Sequence, residues 1–251
     1  MIRLFVAFCL LMAGPARAEE IVLGLSQDQV SITANFTGSD ILIFGAIKRD
    51  APEPTDQGAL GVIITVSGPQ VPLNVWRKDR RLGIWVNSEH IEVDAAPSYY
   101  AVASSAPLSD VLKDVEDLRY SVSIPRAIRA VGIGIAGGET FIEALVRIRK
   151  HEGLYLVLEG AVDLEEDTLF RTSISMPSKL VEGDYAARIF LTRNGLVIDQ
   201  YDTIIPVYKV GLERWLYQLA HNKPFVYGLM SLLIAVASGW IASAAFASLR
   251  R

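Results

Sequence analysis

Cysteine is nearly absent from this chain of 251 residues, in which Cys9 is the only example. Cys9 lies in an N-terminal stretch that we expect to be removed, so the mature chain would hold no thiol and no disulfide. Histidine is scarce too, and His90, His151 and His221 lie too far apart in sequence to predict a metal site. The net charge of −4 gives no basic excess of the kind that nucleic-acid-binding proteins show. We therefore expect no metal, no cofactor and no nucleic-acid partner.

Charged residues are missing from the stretch between positions 224 and 249, which is a run of 26 mainly apolar residues. A helix of that length is roughly 39 Å long, and the hydrocarbon core of a bilayer is about 30 Å thick. Lys223 precedes the run, and Arg250 and Arg251 follow it. This pattern predicts a transmembrane helix rather than a buried helix in a soluble core.

Small side chains recur every four residues along this run. They are Ser231, Ala235, Gly239, Ser243 and Ala247. Small residues on one face allow two helices to approach closely within a membrane, although Ala, Ser and Gly are also common in membrane helices generally. We interpret the stripe as a packing face, either for a second copy of the chain or for another inner-membrane protein.

The N-terminus has the pattern of a secretory signal peptide over residues 1–18. An arginine is followed by a short apolar stretch, and residues 16–18 form an A-x-A cleavage site directly before Glu19. A cleaved signal peptide and one terminal span together predict a single-pass protein of the bacterial inner membrane. The segment that begins at Glu19 would lie in the periplasm, and residues 250–251 would form a cytoplasmic stub.

The exported segment predicts a mainly β fold, with one or two immunoglobulin-like β-sandwich units and a helical insert. Alternating apolar and polar residues indicate strands, and Asn194-Gly195 favours a tight hairpin turn. The predicted regions are an N-terminal β-sandwich unit at 19–106, a helical segment at 107–152, a second β unit at 153–209, an interfacial amphipathic helix at 210–223 and the transmembrane helix at 224–249. One distorted sandwich with a helical insert is the alternative to two units.

Several elements can be assigned individually. Residues 37–40 have turn composition, and the apolar run at 41–47 predicts a strand that is buried on both faces. Residues 139–150 predict a helix, as does the segment that starts at Ser109. The apolar face of that earlier helix is expected to contain Val111, Leu112, Val115 and Leu118.

Aromatic residues cluster where the predicted interfacial helix meets the span. They are Trp215, Tyr217, Phe225 and Tyr227. Amphipathic aromatic side chains favour the headgroup level of a bilayer, so we expect this helix to lie on the outer membrane surface.

The strongest candidate for a binding surface is a basic stretch between two tryptophans. Its proposed binding residues are Trp76, Arg77, Lys78, Arg80, Arg81, Trp85 and Asn87. We expect a hairpin with strands at 73–78 and 82–87 and a tip at 79–81. Its cations would contact an anionic partner, lipid headgroups or a carboxylate ligand, and its tryptophans would add contact area. The alternative is a solvated hairpin tip with both tryptophans in the core.

No catalytic residues are predicted. The chain contains neither a G-x-S-x-G turn nor an H-E-x-x-H pair. Residues 132–137 match the bare G-x-G-x-x-G pattern, but no alternating β-α context surrounds it, so a linker is the better interpretation. The acidic residues at 163–167 could bind calcium but are more typical of a solvated turn. We expect a protein that is not an enzyme.

Several stretches carry a resemblance to a known family. They are residues 36–47, 76–80, 83–87, 97–105, 152–155 and 168–172, together with the terminal span. In these the chain resembles the alphaproteobacterial transmembrane family Alph_Pro_TM. The resemblance implies an envelope location in a Gram-negative bacterium and implies no activity.

The expected function is that of a membrane-anchored periplasmic protein that acts as an accessory or assembly partner of an inner-membrane protein, with a transporter among the candidates. Expected partners are the lipid bilayer and either another membrane protein or a second copy of the chain. Two alternatives stay open. One is a module that binds an anion or solute through the hairpin cations and presents it to a permease, and the other is an unrecognised envelope enzyme.

Overall fold

The computed structural model describes residues 19–26, 29–32, 38–49, 58–130, 138–209 and 212–249. Within these residues the chain is mainly β, with helices in the middle and an apolar helix at the C-terminal end. The predicted mainly β class with a C-terminal apolar helix is confirmed, and the immunoglobulin-like type of the β units stays a prediction. The predicted signal peptide, the G-x-G-x-x-G motif and the C-terminal stub lie outside the described residues.

The described part of the chain forms the following elements. The strands are β1 (Glu19–Leu25), β2 (Val30–Ile32), β3 (Gly38–Arg49), β4 (Leu60–Ser67), β5 (Gln70–Arg81), β6 (Ile84–Pro97), β7 (Tyr100–Ser104), β8 (Tyr155–Glu159), β9 (Asp163–Glu165), β10 (Leu169–Pro177), β11 (Gly183–Arg193) and β12 (Leu196–Lys209). The helices are α1 (Leu108–Val111), α2 (Asp114–Tyr120), α3 (Ile124–Ala127), α4 (Gly138–His151), α5 (Leu212–Asn222) and α6 (Pro224–Leu249).

The first sheet has the strand order β1-β3-β10-β9 and is antiparallel throughout. Burial alternates along β10, so one face of the sheet turns toward the core. On β3, Ile41, Ile43 and Ile47 are buried, whereas Leu42 and Phe44 are exposed. The prediction that residues 41–47 are buried on both faces is therefore wrong. The predicted turn at residues 37–40 is also wrong, because β3 already begins at residue 38.

The second sheet has the order β2-β12-β11-β4-β7-β8. Strands β12, β11, β4 and β7 pair in antiparallel fashion, whereas β7 and β8 pair in parallel. Strands β4 and β7 are buried on both faces, as expected for the centre of a covered sheet.

Strands from both halves of the chain share each sheet, since β3 pairs with β10 and β4 pairs with β11. The Tyr99 hydroxyl donates a hydrogen bond to the Ser175 carbonyl oxygen at 2.8 Å and so links the residue before β7 to β10 of the first sheet. Residues 19–106 and 153–209 therefore contribute to one core rather than to two separate β units.

The helical segment differs from its prediction near Ser109. Leu112 is extended and interrupts the expected helix, which becomes the two short helices α1 and α2. Val111 and Leu112 are buried, but Val115 and Leu118 are exposed, so the predicted continuous apolar face is wrong. The later helix is confirmed as α4.

Helices α5 and α6 belong to a second compact unit that contains residues 208–251. Helix α6 has the bounds that the uncharged run predicts, and it begins at Pro224, where a missing backbone N–H costs nothing. Among the described residues it is the one helix long and apolar enough to cross a membrane, over Pro224–Ser243. The Trp215, Tyr217 and Phe225 side chains are exposed.

Candidate interaction site

Strands β5 and β6 form a long two-stranded hairpin. The turn consists of Leu82 and Gly83, whose φ angles of 51° and 87° are both left-handed. Two consecutive left-handed residues are typical of the tight turn that matches the twist of a hairpin. Because β5 continues through Arg81, which pairs with Ile84, the predicted tip at residues 79–81 is wrong.

The two tryptophans of this hairpin lie on the protein surface. Trp76 is 49% exposed and Trp85 is 67% exposed. The alternative interpretation, in which both would lie in the core, is therefore wrong. Leu82 and Ile84 are exposed beside them, so the end of the hairpin presents apolar side chains to solvent.

One face of the hairpin collects most of the predicted binding residues. Trp76, Lys78 and Arg80 alternate along β5 and so share a face. Their cross-strand partners on β6 are His90, Asn87 and Trp85, respectively. The Trp76 and His90 rings stack with their centroids 4.4 Å apart. This surface, which we call the tryptophan face, combines aromatic, cationic and amide groups.

Arg77 points to the opposite face and has a structural contact there. Its Nη1 donates to Glu89 Oε2 at 2.9 Å and its Nη2 donates to Thr140 Oγ1 at 3.3 Å. Its guanidinium lies 4.7 Å from the centre of the Phe141 ring. Arg77 therefore connects the hairpin to α4, and Arg81 shares its face of β5.

A cavity of about 610 Å³ lies at the base of the hairpin. Its lining residues include Arg126 in the last turn of α3, Arg129 just beyond that helix and Arg188 on β11. Gln70 and Ala95 of the hairpin also line it. We call this group of three arginines and its cavity the arginine cavity.

Backbone contacts place two of these arginines. Asp117 accepts hydrogen bonds from the Val122 and Ser123 backbone N–H groups at 3.1 and 2.7 Å, and this fixes the connection between α2 and α3. Beyond α3, Ala95 and Arg129 exchange backbone hydrogen bonds at 3.1 and 2.8 Å. Arg126 and Arg129 are thereby held beside the base of the hairpin.

Arg188 is anchored by neutral oxygen atoms. Its Nη1 donates to the Tyr120 carbonyl oxygen at 2.7 Å, and its Nη2 donates to the Ser121 carbonyl oxygen at 3.1 Å and to the Tyr100 hydroxyl oxygen at 3.3 Å. That hydroxyl group donates in turn to the Val122 carbonyl oxygen at 2.8 Å. Burial raises the pKa of the Tyr100 phenol above its ordinary value, so the group is a neutral donor at pH 7.

Sequence reasoning missed the arginine cavity because its residues are distant in sequence. Arg126 and Arg129 lie three positions apart among apolar residues, which is the only local sign of a cationic surface in this segment. Nothing in the sequence links these two residues to Arg188.

The acidic residues considered for calcium are partly paired. Arg171 Nε lies 3.3 Å from Asp163 Oδ2, and its Nη2 lies 3.3 Å from Glu165 Oε1. Within the part of the chain that the structure describes, no group of three or more His, Cys, Asp or Glu residues could hold a metal ion.

The small residues of α6 form an open stripe. Ser231, Ala235, Gly239 and Ser243 are exposed, and space beside Gly239 is free of other atoms within the described residues. The Ser231 hydroxyl donates to the Tyr227 carbonyl oxygen at 2.8 Å within the helix, so it does not need an outside acceptor. Ala247 lies on the same helix, beyond the residues whose side chains are described.

A family comparison covers all of these features. The model of the family described as "Putative transmembrane protein (Alph_Pro_TM)" matches residues 20–248. No curated protein matches the chain. The matched range includes the hairpin, the arginine cavity and the apolar helix α6, so the chain belongs to the transmembrane family Alph_Pro_TM.

Proposed function

We propose that this protein is a non-enzymatic accessory or assembly partner of a bacterial inner-membrane protein, with a transporter among the candidates. Its β domain lies in the periplasm, helix α6 anchors it by a single pass, and its C-terminus is cytoplasmic. The family match and the uncharged helix support a membrane anchor. The partner is recognised by the β5–β6 hairpin and held further by the small-residue stripe of α6.

The exposed tryptophan face is the observation that carries this proposal. Tryptophan and arginine are the residues that most often dominate the binding energy of protein interfaces. Here Trp76, Trp85 and Arg80 share one solvent-facing surface of a two-stranded arm. An isolated two-stranded hairpin is only marginally stable in water, and Arg77 braces this one against α4. The fold thus holds an apolar and cationic surface in place without burying it.

Helix α6 supplies the second contact of the proposal. Within a bilayer, lipid tails surround apolar side chains as favourably as protein does, so close backbone approach drives helix association. Gly239 lies at the centre of the stripe with open space beside it. A leucine at this position would separate two helices that meet there.

Affinity purification from gently solubilised membranes tests the proposal. A tagged chromosomal copy is expected to co-purify with a specific membrane protein, identified by mass spectrometry. Replacing Trp76 and Trp85 together by serine should reduce recovery of that partner about tenfold or more, because truncating an aromatic anchor typically costs about 2 kcal/mol. Gly239→Leu should reduce recovery as well.

The matched control is Leu118→Ser, which removes an equally exposed apolar side chain from α2. It should leave partner recovery unchanged. Recovery of the wild-type chain as a lone monomer would contradict the proposal, as would full partner recovery by the double tryptophan variant.

A further inference from the structure

We infer that the arginine cavity is a binding site for a small organic anion, whose carboxylate or phosphate group is held by Arg126, Arg129 and Arg188. This site is separate from the tryptophan face, and the inference does not depend on the accessory role.

The charge of the cavity wall is the first argument. Three arginines line the cavity, and no Asp or Glu is among the lining residues in the part of the chain that the structure describes. The hydrogen-bond partners of Arg188 are two carbonyl oxygens and one hydroxyl. Asp202 is its cross-strand neighbour on β12, but within the described residues Arg188 forms no ion pair. Within the described residues, Arg126 and Arg129 have no ion-pair partner. Three like charges at one cavity repel each other, and a bound anion would remove that repulsion.

The anchoring of Arg188 is the second argument. Three of its five N–H groups are used by Tyr120, Ser121 and Tyr100, which fixes the plane of the guanidinium. One Nη1 hydrogen and the Nε hydrogen are left for a ligand. Both bidentate edges of a guanidinium include an Nη2 hydrogen, and both Nη2 hydrogens are used here, so Arg188 offers single hydrogen bonds to carboxylate or phosphate oxygens. Its fixed position lowers the entropic cost of binding. Arg126 and Arg129 are exposed and can close on the ligand from the opening.

The size and composition of the cavity indicate an organic molecule rather than a bare ion. Its volume of about 610 Å³ falls within the usual range of small-molecule sites. Apolar side chains line much of it, including Ala95, Ile128 and Ala186, while Gln70 and Ser121 add neutral polar groups. An anion with an apolar or hydroxylated body would use both parts of this wall.

Isothermal titration calorimetry on the full-length protein in an uncharged detergent tests the inference. Citrate and glycerol 3-phosphate serve as the carboxylate and phosphate probes, at constant ionic strength. Saturable binding of at least one probe is expected. Arg126→Gln combined with Arg129→Gln should weaken that binding about tenfold or more, because the double variant removes two sets of charged hydrogen-bond donors. Within the described residues neither side chain forms a hydrogen bond or an ion pair, so we expect the fold to tolerate both changes.

Lys179→Gln is the matched control, since it removes one positive charge from an exposed turn away from the cavity. It should leave the affinity unchanged. Absence of binding by both probes would overturn the inference. So would equal affinity of the wild-type and double-variant proteins, or an equal loss in Lys179→Gln.

Chemical protection locates the site without any substitution. Phenylglyoxal modifies accessible arginines, and mass spectrometry then reports each position. The bound probe should protect Arg126 and Arg129 and should not protect Arg171, which lies on a different sheet. Equal protection of all three would overturn the inference.

The same measurement in nanodiscs separates a free anion from a lipid headgroup. Protection in phosphatidylglycerol nanodiscs without soluble probe would identify a headgroup phosphate as the source of the anion. Protection that requires the soluble probe would identify a free organic anion. Protection in neither case would overturn the site itself.

Discussion

At the scale of single residues, Glu19 is a buried carboxylate that contacts two arginines. Its Oε1 lies 3.1 Å from Arg49 Nε and 2.9 Å from Arg193 Nη2. The Glu19 and Arg193 side chains are only 6% and 9% exposed. Since Arg49 lies on β3 and Arg193 on β11, one carboxylate connects the first sheet to the second. Asp199 adds a nearby link by accepting the Ile21 backbone N–H at 3.1 Å.

We predict that Glu19→Gln lowers the free energy of unfolding by about 3 kcal/mol. Removing one member of a buried ion pair takes compensation from the other charge, and here Arg193 and Arg49 would both lose the Glu19 carboxylate. Denaturant unfolding of the detergent-solubilised protein, followed by circular dichroism, measures the change.

The neighbouring Glu20 provides the control for this prediction. It pairs with Lys48 at 3.6 Å, but both side chains are more than half exposed. Exposed pairs contribute about 0–1 kcal/mol, so Glu20→Gln should change stability by less than about 1 kcal/mol. Equal effects of the two variants would show that the Glu19 network does not stabilise the fold.

The candidate residues were only partly predictable. Trp76 and Trp85 stood out because two tryptophans flanked four cations, and the structure places both on one exposed face. Arg188 could not be found in the same way, because neighbouring residues in its strand carry no comparable pattern. Its relation to Arg126 exists only after β11 and α3 have packed together.

At the scale of elements, the β5–β6 turn contains a conformational conflict. Leu82 adopts φ = 51°, a left-handed conformation that a bulky side chain disfavours. The β11–β12 turn has nearly the same backbone, with φ angles of 53° and 75°, but uses Asn194 and Gly195. Asparagine tolerates this conformation better than leucine does. The β5–β6 hairpin therefore keeps an exposed leucine in its turn although an asparagine there would be more stable. An apolar tip is consistent with the proposed contact to a partner.

We predict that Leu82→Asn stabilises the hairpin by about 1 kcal/mol, because it relieves backbone strain in the left-handed region. Hydrogen exchange of the β5 and β6 amides measures local opening and should slow about fivefold. Leu118→Asn, at an exposed helical leucine, should leave those amides unchanged. Faster exchange in Leu82→Asn would mean that the leucine side chain itself holds the turn.

Pattern reasoning succeeded for elements whose two faces differ clearly. The sequence predicts a strand at residues 169–175, and the structure forms β10 at Leu169–Pro177 with alternating burial. It failed for β3, because Leu42 and Phe44 are apolar yet exposed on the outer face of their sheet. It also failed near Leu112, because a single extended residue interrupts a helical pattern without any glycine or proline to indicate it.

At the scale of the whole molecule, the pairing of distant strands could not be predicted from the sequence. Each strand's local pattern says that it is a strand but not which strand it pairs with. Pairs such as β3 with β10 and β4 with β11 join segments more than a hundred residues apart, and β7 with β8 is parallel across the helical insert. By contrast, α6 needed no tertiary information, because the length and composition of 26 uncharged residues already predict a helix that can span a bilayer.

The proposed topology predicts where the C-terminus lies. In this topology helix α6 crosses the membrane once and the β domain is exported, so Arg250 and Arg251 would lie in the cytoplasm. Green fluorescent protein fused behind Arg251 should therefore fluoresce, since it folds in the cytoplasm, and alkaline phosphatase at the same position should be inactive. Alkaline phosphatase fused after Lys209, before α5, should be active because that junction is exported. An active phosphatase behind Arg251 would show that α6 does not cross the bilayer. The small-residue stripe of α6 could then not pack against a partner helix within the membrane.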